Sequence, residues 1–259
     1  MTGQLKVSGL QKKYGQTVVV QDTSFEIRPG EFVSIVGPSG CGKSTVLEIV
    51  GGLREADAGS VAIDGEEVTG PRDATGIIFQ EASTLPWRNM IDNVALALEV
   101  RGVSKQERMA AAGKAIETVG LKGFERHFPS QLSGGMRQRV ALARVLTTSP
   151  ALILADEPFG ALDEQTRLMV ALELLAVVNK TSASVLFITH SIQEAVLLSD
   201  RVLVMSARPG HIIDEVVIDL PRPRGADLIG SHLLDQFAER VWTPLKSQAQ
   251  LAMSMQGSQ

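Results

Sequence analysis

The sequence predicts an α/β domain with a mixed sheet, an antiparallel β flap at its beginning and a helical subdomain inserted in its middle. Three observations carry that reading. A strand of buried character, Glu31 to Val36, runs through a glycine-rich loop into a helix beginning at Lys43. From Leu152 to Met205, short apolar strands alternate with helices in the βαβ order of a parallel sheet. Between these two regions, Ile91 to about Thr148 carries mainly helical signals.

Taken in order, Leu5 to Ile27 reads as short strands. Phe25 and Ile27 alternate with Ser24 and Glu26, and Pro29-Gly30 ends the run as a turn. The helix after the glycine-rich loop is predicted over Lys43 to Leu53, a hairpin at Asp64-Gly65, and a strand over Gly76 to Phe79 that ends at Gln80. In the inserted segment, Val94, Leu98 and Arg101 fall near one face, Ser104 caps a helix with Glu107 three residues later, and Ile116 to Leu121 continues the pattern. A further helix is predicted over Met136 to Thr148.

The alternating part comprises strand Leu152 to Asp156, helix Glu164 to Asn179, strand Ser184 to Thr189, helix Ile192 to Leu198 and strand Arg201 to Met205. Leu168, Ala171, Leu172, Leu175 and Val178 form a helical stripe assigned to the core. The tail passes from Pro209-Gly210 through an alternating stretch, Ile213 to Leu220, to Pro221-Arg222-Pro223-Arg224. A last helix is predicted over Leu228 to Gln248, with Ser254 to Gln259 frayed. The organisation expected is one domain over 1–225, its helical subdomain at about 88–150, and a helical tail over 226–259.

Composition narrows the class. With 44% hydrophobic and 21% charged residues the chain is globular, and 25 Lys+Arg against 29 Asp+Glu gives no basic footprint for nucleic acid. One cysteine, Cys41, allows no internal disulfide and fits a reducing compartment. No secretory leader is evident at Met1 to Tyr14, and no apolar run approaches the ~20 residues that span a bilayer. Any membrane partner must supply its own span.

Gly37-Pro38-Ser39-Gly40-Cys41-Gly42-Lys43-Ser44 matches the phosphate-loop pattern and stands between a strand and a helix, where that pattern has meaning. Backbone N–H groups and the helix N-terminus favour phosphate there. Lys43 would reach the β- and γ-phosphates, Ser44 would coordinate Mg²⁺ and Thr45 would add a phosphate contact. Cys41 is either a small filler or a thiol made reactive by its place near a helix N-terminus, in which case alkylation would block ATP binding. Downstream, the apolar strand Leu152 to Ala155 ends in two carboxylates, Asp156 and Glu157. Asp156 is the Mg²⁺ partner and Glu157 the base that polarises the attacking water, unless both are merely solvated at a strand end.

Leu132-Ser133-Gly134-Gly135-Met136-Arg137-Gln138-Arg139 resembles the signature motif of the ABC ATPases. Met136 departs from the commonest pattern, which has Gln at the fifth position. Ser133, Gly134 and Gly135 open a helix and make a second anion site of N–H groups, a hydroxyl and a helix dipole. The resemblance implies two ATP molecules, each with Mg²⁺, held between the copies of a head-to-tail homodimer. It further implies that Tyr14 stacks on adenine, that Gln80 senses Mg²⁺ and water, and that His190 contacts the γ-phosphate and orients Glu157. Ala161-Leu162-Asp163 resembles the loop that crosses to the partner's site, although Asp163 is also a plausible helix cap.

Within that family, Leu85-Pro86-Trp87-Arg88, Asp92-Asn93-Val94, Glu157 to Asp163 and Ala207-Arg208-Pro209-Gly210 resemble importer subunits for nitrate, sulfonate, taurine and related anions. The implied partners are integral membrane permease subunits and, indirectly, a periplasmic or lipid-anchored solute-binding protein. The implied location is cytoplasmic, peripheral on the inner face of the membrane. The alternative is a non-transport ABC ATPase acting as an assembly or mechanical accessory factor. A phosphate-loop metabolic kinase leaves Ser133-Gly134-Gly135 and the carboxylate pair with His190 unexplained.

Overall fold

Residues 2–160 and 162–256 are described in the computed structural model. They form two sheets with helices packed around the larger one. β1 (Leu5–Tyr14) and β2 (Thr17–Ile27) make the expected antiparallel flap, with Leu5 opposite Ile27 and Val7 opposite Phe25. These four side chains are buried while Lys6 and Glu26 face out, which is what period-two alternation requires of a half-buried sheet. β4 (Ala58–Ile63) extends the flap antiparallel to β1, and β5 (Glu66–Glu67) returns through Asp64-Gly65, both at positive φ.

The larger sheet runs β10-β9-β3-β8-β7-β6. β3 (Phe32–Val36), β6 (Thr75–Ile78), β7 (Leu152–Asp156), β8 (Ser184–Ile188) and β9 (Arg201–Met205) are parallel, and β10 (Ile212–Val217) closes one edge antiparallel to β9. Every residue of β3, β8 and β9 is buried. Continuous burial reflects cover on both faces, and it explains why these strands read as apolar runs instead of alternating ones.

α1 (Lys43–Val50) stops short of the predicted Leu53. Gly51 and Gly52 end it, with Gly52 at φ 69° and the Gly51 and Leu53 N–H groups donating back to Leu47 and Glu48. The insertion consists of α2 (Met90–Val100), α3 (Lys105–Thr118) and α4 (Gly134–Leu146). Ser104 caps α3 as expected, its hydroxyl accepting the Glu107 N–H and donating to the Glu107 carboxylate. α4 begins two residues before the predicted start, because Ser133 is its cap and the glycine pair forms its first turn. It ends two residues early, and the hydroxyls of Thr147 and Thr148 donate back to the Arg144 and Val145 carbonyls.

α5 (Glu164–Thr181) and α6 (Ile192–Leu198) complete the crossovers. The core stripe of α5 is only part of its buried surface, since Val170, Leu174 and Val177 are buried as well. The helix lies between α4 and α6, so a single stripe underestimates its cover. α7 (His232–Gln256) starts four residues after the predicted Leu228. Gly230 at φ 75° breaks the chain there, and Ser231 caps the helix by accepting the Leu234 N–H. It also runs past Gln248, through a stretch rich in good helix formers, so Ser254 to Gln256 are helical, contrary to the expected fraying. Gly257 to Gln259 lie outside the described residues.

Candidate functional site

The C-terminal ends of β3 and β7 bring the two chemical motifs together. After β3 the chain turns through Gly40 (φ 74°) and Gly42 (φ 107°), conformations that L side chains rarely adopt. A Cβ on Gly42 would also stand 2.9 Å from Val20. Lys43, the first residue of α1, is buried and curls back over the loop, donating from Nζ to the carbonyls of Gly37 (2.9 Å) and Pro38 (3.1 Å). An ammonium so placed is held ready for phosphate oxygens. Beside the loop is an open cleft of about 650 Å³, lined by Ser39, Lys43, Ser44, Thr45, Glu157 and Tyr14 among others.

At the end of β7, one strand beyond β8, Asp156 accepts a hydrogen bond from Ser44 Oγ at 3.0 Å. Burial pushes the Asp156 carboxyl above its ordinary value; the Ser44 bond opposes this and the Glu157 charge adds to it. Glu157 follows at φ 41°, strained for a residue with a side chain, its N–H donating to the Ile188 carbonyl at 2.9 Å. Its Oε2 stands 3.1 Å from Nδ1 of His190, which follows β8. Thus Lys43, Ser44, Asp156, Glu157 and His190, up to 147 positions apart in sequence (190 − 43), converge on one end of the sheet.

Tyr14 also lines the cleft, half-exposed, with the Arg54 guanidinium 5.1 Å over its ring and Arg54 paired to Glu48 at 2.6 Å. Pro38 supplies one of the carbonyls under Lys43. Cys41 is turned away. It is 1% exposed, packs in the apolar cluster with Val20 and Leu47, and has its thiol pushed up chiefly by burial. The reactive-thiol expectation is therefore corrected: Cys41 is the small filler.

The remaining predicted residues sit elsewhere. Ser133 Oγ accepts the Met136 N–H at 3.3 Å as the cap of α4. Gly134 lines a second cleft with Gln80, Arg137, Gln138 and Gly160. A Cβ on Gly160 would stand 3.6 Å from Gln80 Nε2 and 3.4 Å from the Glu157 carbonyl oxygen, so the Gln80 amide borders the Glu157 to Gly160 turn. Gln138 Nε2 holds the Gln80 carbonyl at 2.8 Å. Gly135 follows Gly134 in the first turn of α4. Asp163 caps α5, accepting the Thr166 N–H at 3.0 Å, and Ala161 lies outside the described residues. Among the described residues, the lining of the second cleft shares none with that of the phosphate cleft.

Two features of the site escaped the sequence. Arg208 donates from Nε (3.1 Å) and Nη2 (2.8 Å) to the Gly40 carbonyl and lines the phosphate cleft. In the sequence its segment stands out only by family likeness, and a contact across 168 positions leaves no local signal. Asn93, fully buried, donates to the carbonyls of Leu85, Arg88 and Asn89 and accepts from Leu85 N–H and Arg144. It explains why the Leu85 to Arg88 loop and Asp92-Asn93-Val94 go together.

A strand, a glycine loop, a helix and a carboxylate at the end of another strand of the same sheet define a phosphate-loop nucleotide-binding protein. The family model described as "ABC transporter" matches residues 20–160. The chain is 49% identical over 228 residues to an uncharacterized ABC transporter ATP-binding protein of Methanocaldococcus jannaschii, covering 86% of this chain and 85% of that one. It is 47% identical over 211 residues to the taurine import ATP-binding protein TauB of Rhizobium johnstonii, covering 81% and 80%. Among solved structures, the ATP-binding cassette MJ0796, a dimer in a post-hydrolysis state bound to ADP and Pi, superposes with a TM-score of 0.73 at 32% identity. That match covers 84% of this chain and 100% of the cassette. The chain belongs to the ABC transporter family as an ATP-binding subunit, and it is an ATPase.

Proposed function

We propose that this chain is the ATP-hydrolysing subunit of an importer, and that two copies close head to tail on two ATP molecules to drive uptake of a small anion such as taurine, a sulfonate or nitrate. The carrying observation is the division of labour within one chain. Lys43, Ser44, Asp156, Glu157 and His190 gather at one end of the sheet, while Gly134, just after the Ser133 cap, lines a different cleft. In this reading the second anion-binding turn, which lines none of its own chain's phosphate cleft, serves a second copy. The dimeric relative bound to ADP and Pi supports this reading, and the taurine import relatives support the solute class.

In this reading Tyr14 stacks on the base, and the loop N–H groups and Lys43 hold the triphosphate. Ser44 and Asp156 suit Mg²⁺, because one hydroxyl and one carboxylate leave its other positions to phosphate and water. Bound there, Mg²⁺ would neutralise charge on the β- and γ-phosphates. Glu157 accepts a proton from the attacking water, while His190 fixes the carboxylate's orientation and faces the γ-phosphate. Gln80 and Asp163 join the site as the subunits close.

No helix among the described residues is long and apolar enough to cross a membrane. In this reading the permease subunits are separate chains. Trp87, 72% exposed, offers them an apolar footing beside the insertion. The subunit then sits on the inner membrane face, and a periplasmic or lipid-anchored protein delivers the solute. Glu157→Gln tests the hydrolytic core. It should cut kcat by about 10²-fold or more while ATP still binds and the dimer accumulates. Near-normal hydrolysis would remove Glu157 from its role.

A further inference from the structure

Behind Glu157 and His190 lie two charged side chains that the scheme above leaves unused. Glu194, in the first turn of α6, is 3% exposed. One of its carboxylate oxygens accepts the Thr189 hydroxyl, and that hydroxyl oxygen in turn accepts the Ser191 N–H at 3.0 Å. The carboxylate thereby fixes the backbone on both sides of His190. Its other oxygen stands 3.5 Å from Nε of Arg167 on α5. Arg167 also donates from Nη2 to the Leu162 carbonyl at 2.9 Å, immediately before Asp163, the cap of α5.

A carboxylate buried like that of Glu194 persists only when paired, and losing Arg167, whose own side chain is 19% exposed, leaves it with the penalty of burial. Burial pushes the Glu194 carboxyl up, while the Thr189 bond and the Arg167 charge hold it down. Displacing either loop therefore separates Glu194 from a partner it needs. The helices that carry the two groups pack against each other, so no third element has to move with them.

We propose that Arg167 and Glu194 are positioning residues that tie the loop bearing His190 to the loop bearing Asp163. When a second copy closes on the Asp163 loop, the His190 and Glu157 geometry is set by the same contact. This inference rests on the head-to-tail dimer proposed above.

The test uses the full chain carrying Arg167→Ala, Arg167→Lys, Glu194→Gln or Arg167→Ala with Glu194→Gln, measuring kcat, ATP KM, the Hill coefficient and melting temperature. Arg167→Ala and Glu194→Gln should each lower kcat about tenfold with KM within about threefold, and bring the Hill coefficient from about 2 toward 1. Their combination should lose no more than the worse single change, as for groups acting through one link. Arg167→Lys should restore part of the loss. Folded variants with unchanged kcat and cooperativity, or losses that multiply, would overturn the link. Should Arg167→Ala fail to fold, Arg167→Lys and Glu194→Gln carry the same readouts. ATP-driven dimerisation of Glu157→Gln is run in parallel: its absence rejects the dimer, whereas its presence with intact cooperativity in Arg167→Ala rejects only the link.

Discussion

Glu157 illustrates how a single residue can be readable in type and unreadable in geometry. Its place after an apolar strand and Asp156 marks it as a carboxylate with a use, because an unpaired charge at the end of a buried strand is otherwise costly. The positive φ that turns it toward His190 appears only in the fold. Arg208 is the opposite case: nothing local distinguishes it, yet its guanidinium grips the Gly40 carbonyl on the phosphate loop. Removing it loosens the loop and takes one cation from the cleft without touching the reacting water. Arg208→Ala should raise the ATP KM by about five- to tenfold and change kcat less than about threefold, in steady-state ATPase assays. A KM that stays at the wild-type value would show that Gly40 needs no such hold.

At the scale of elements, the interiors were legible and the ends were not. β7, α6 and β9 occupy the predicted residues because each is a short apolar run between clear breaks. α1 and α7 differ because helix ends depend on where a glycine takes positive φ, at Gly52 and Gly230, which the period of apolar residues does not encode. α7 also shows what the tail does for the fold. Leu234, Phe237, Val241 and Leu245 bury one face against α6, β9 and β10, and Gln248 accepts the Ala207 N–H beside Arg208. The helix is thus joined to the body and to the segment that reaches the phosphate loop. Phe237→Ala should cost about 3–4 kcal/mol of unfolding free energy in a denaturant titration. A loss below about 1 kcal/mol would mean that α7 is a peripheral addition.

For the whole molecule, the order of motifs along the chain predicted the family, since several weak residues in the right succession exclude what each alone permits. Their distribution in space was not available from that order. Gly134 of the signature turn and the phosphate loop line different clefts of one chain, and the proposed head-to-tail dimer rests on this separation. The most direct test places single cysteines on two populations of a Cys41→Ser chain, one with Ser39→Cys and the other with Ser133→Cys. Mixed and given ATP under mild oxidation, they should yield a disulfide-linked dimer containing one of each, with little cross-linking in either population alone. No mixed cross-link in the presence of ATP, with both variants folded and binding nucleotide, would contradict the head-to-tail site.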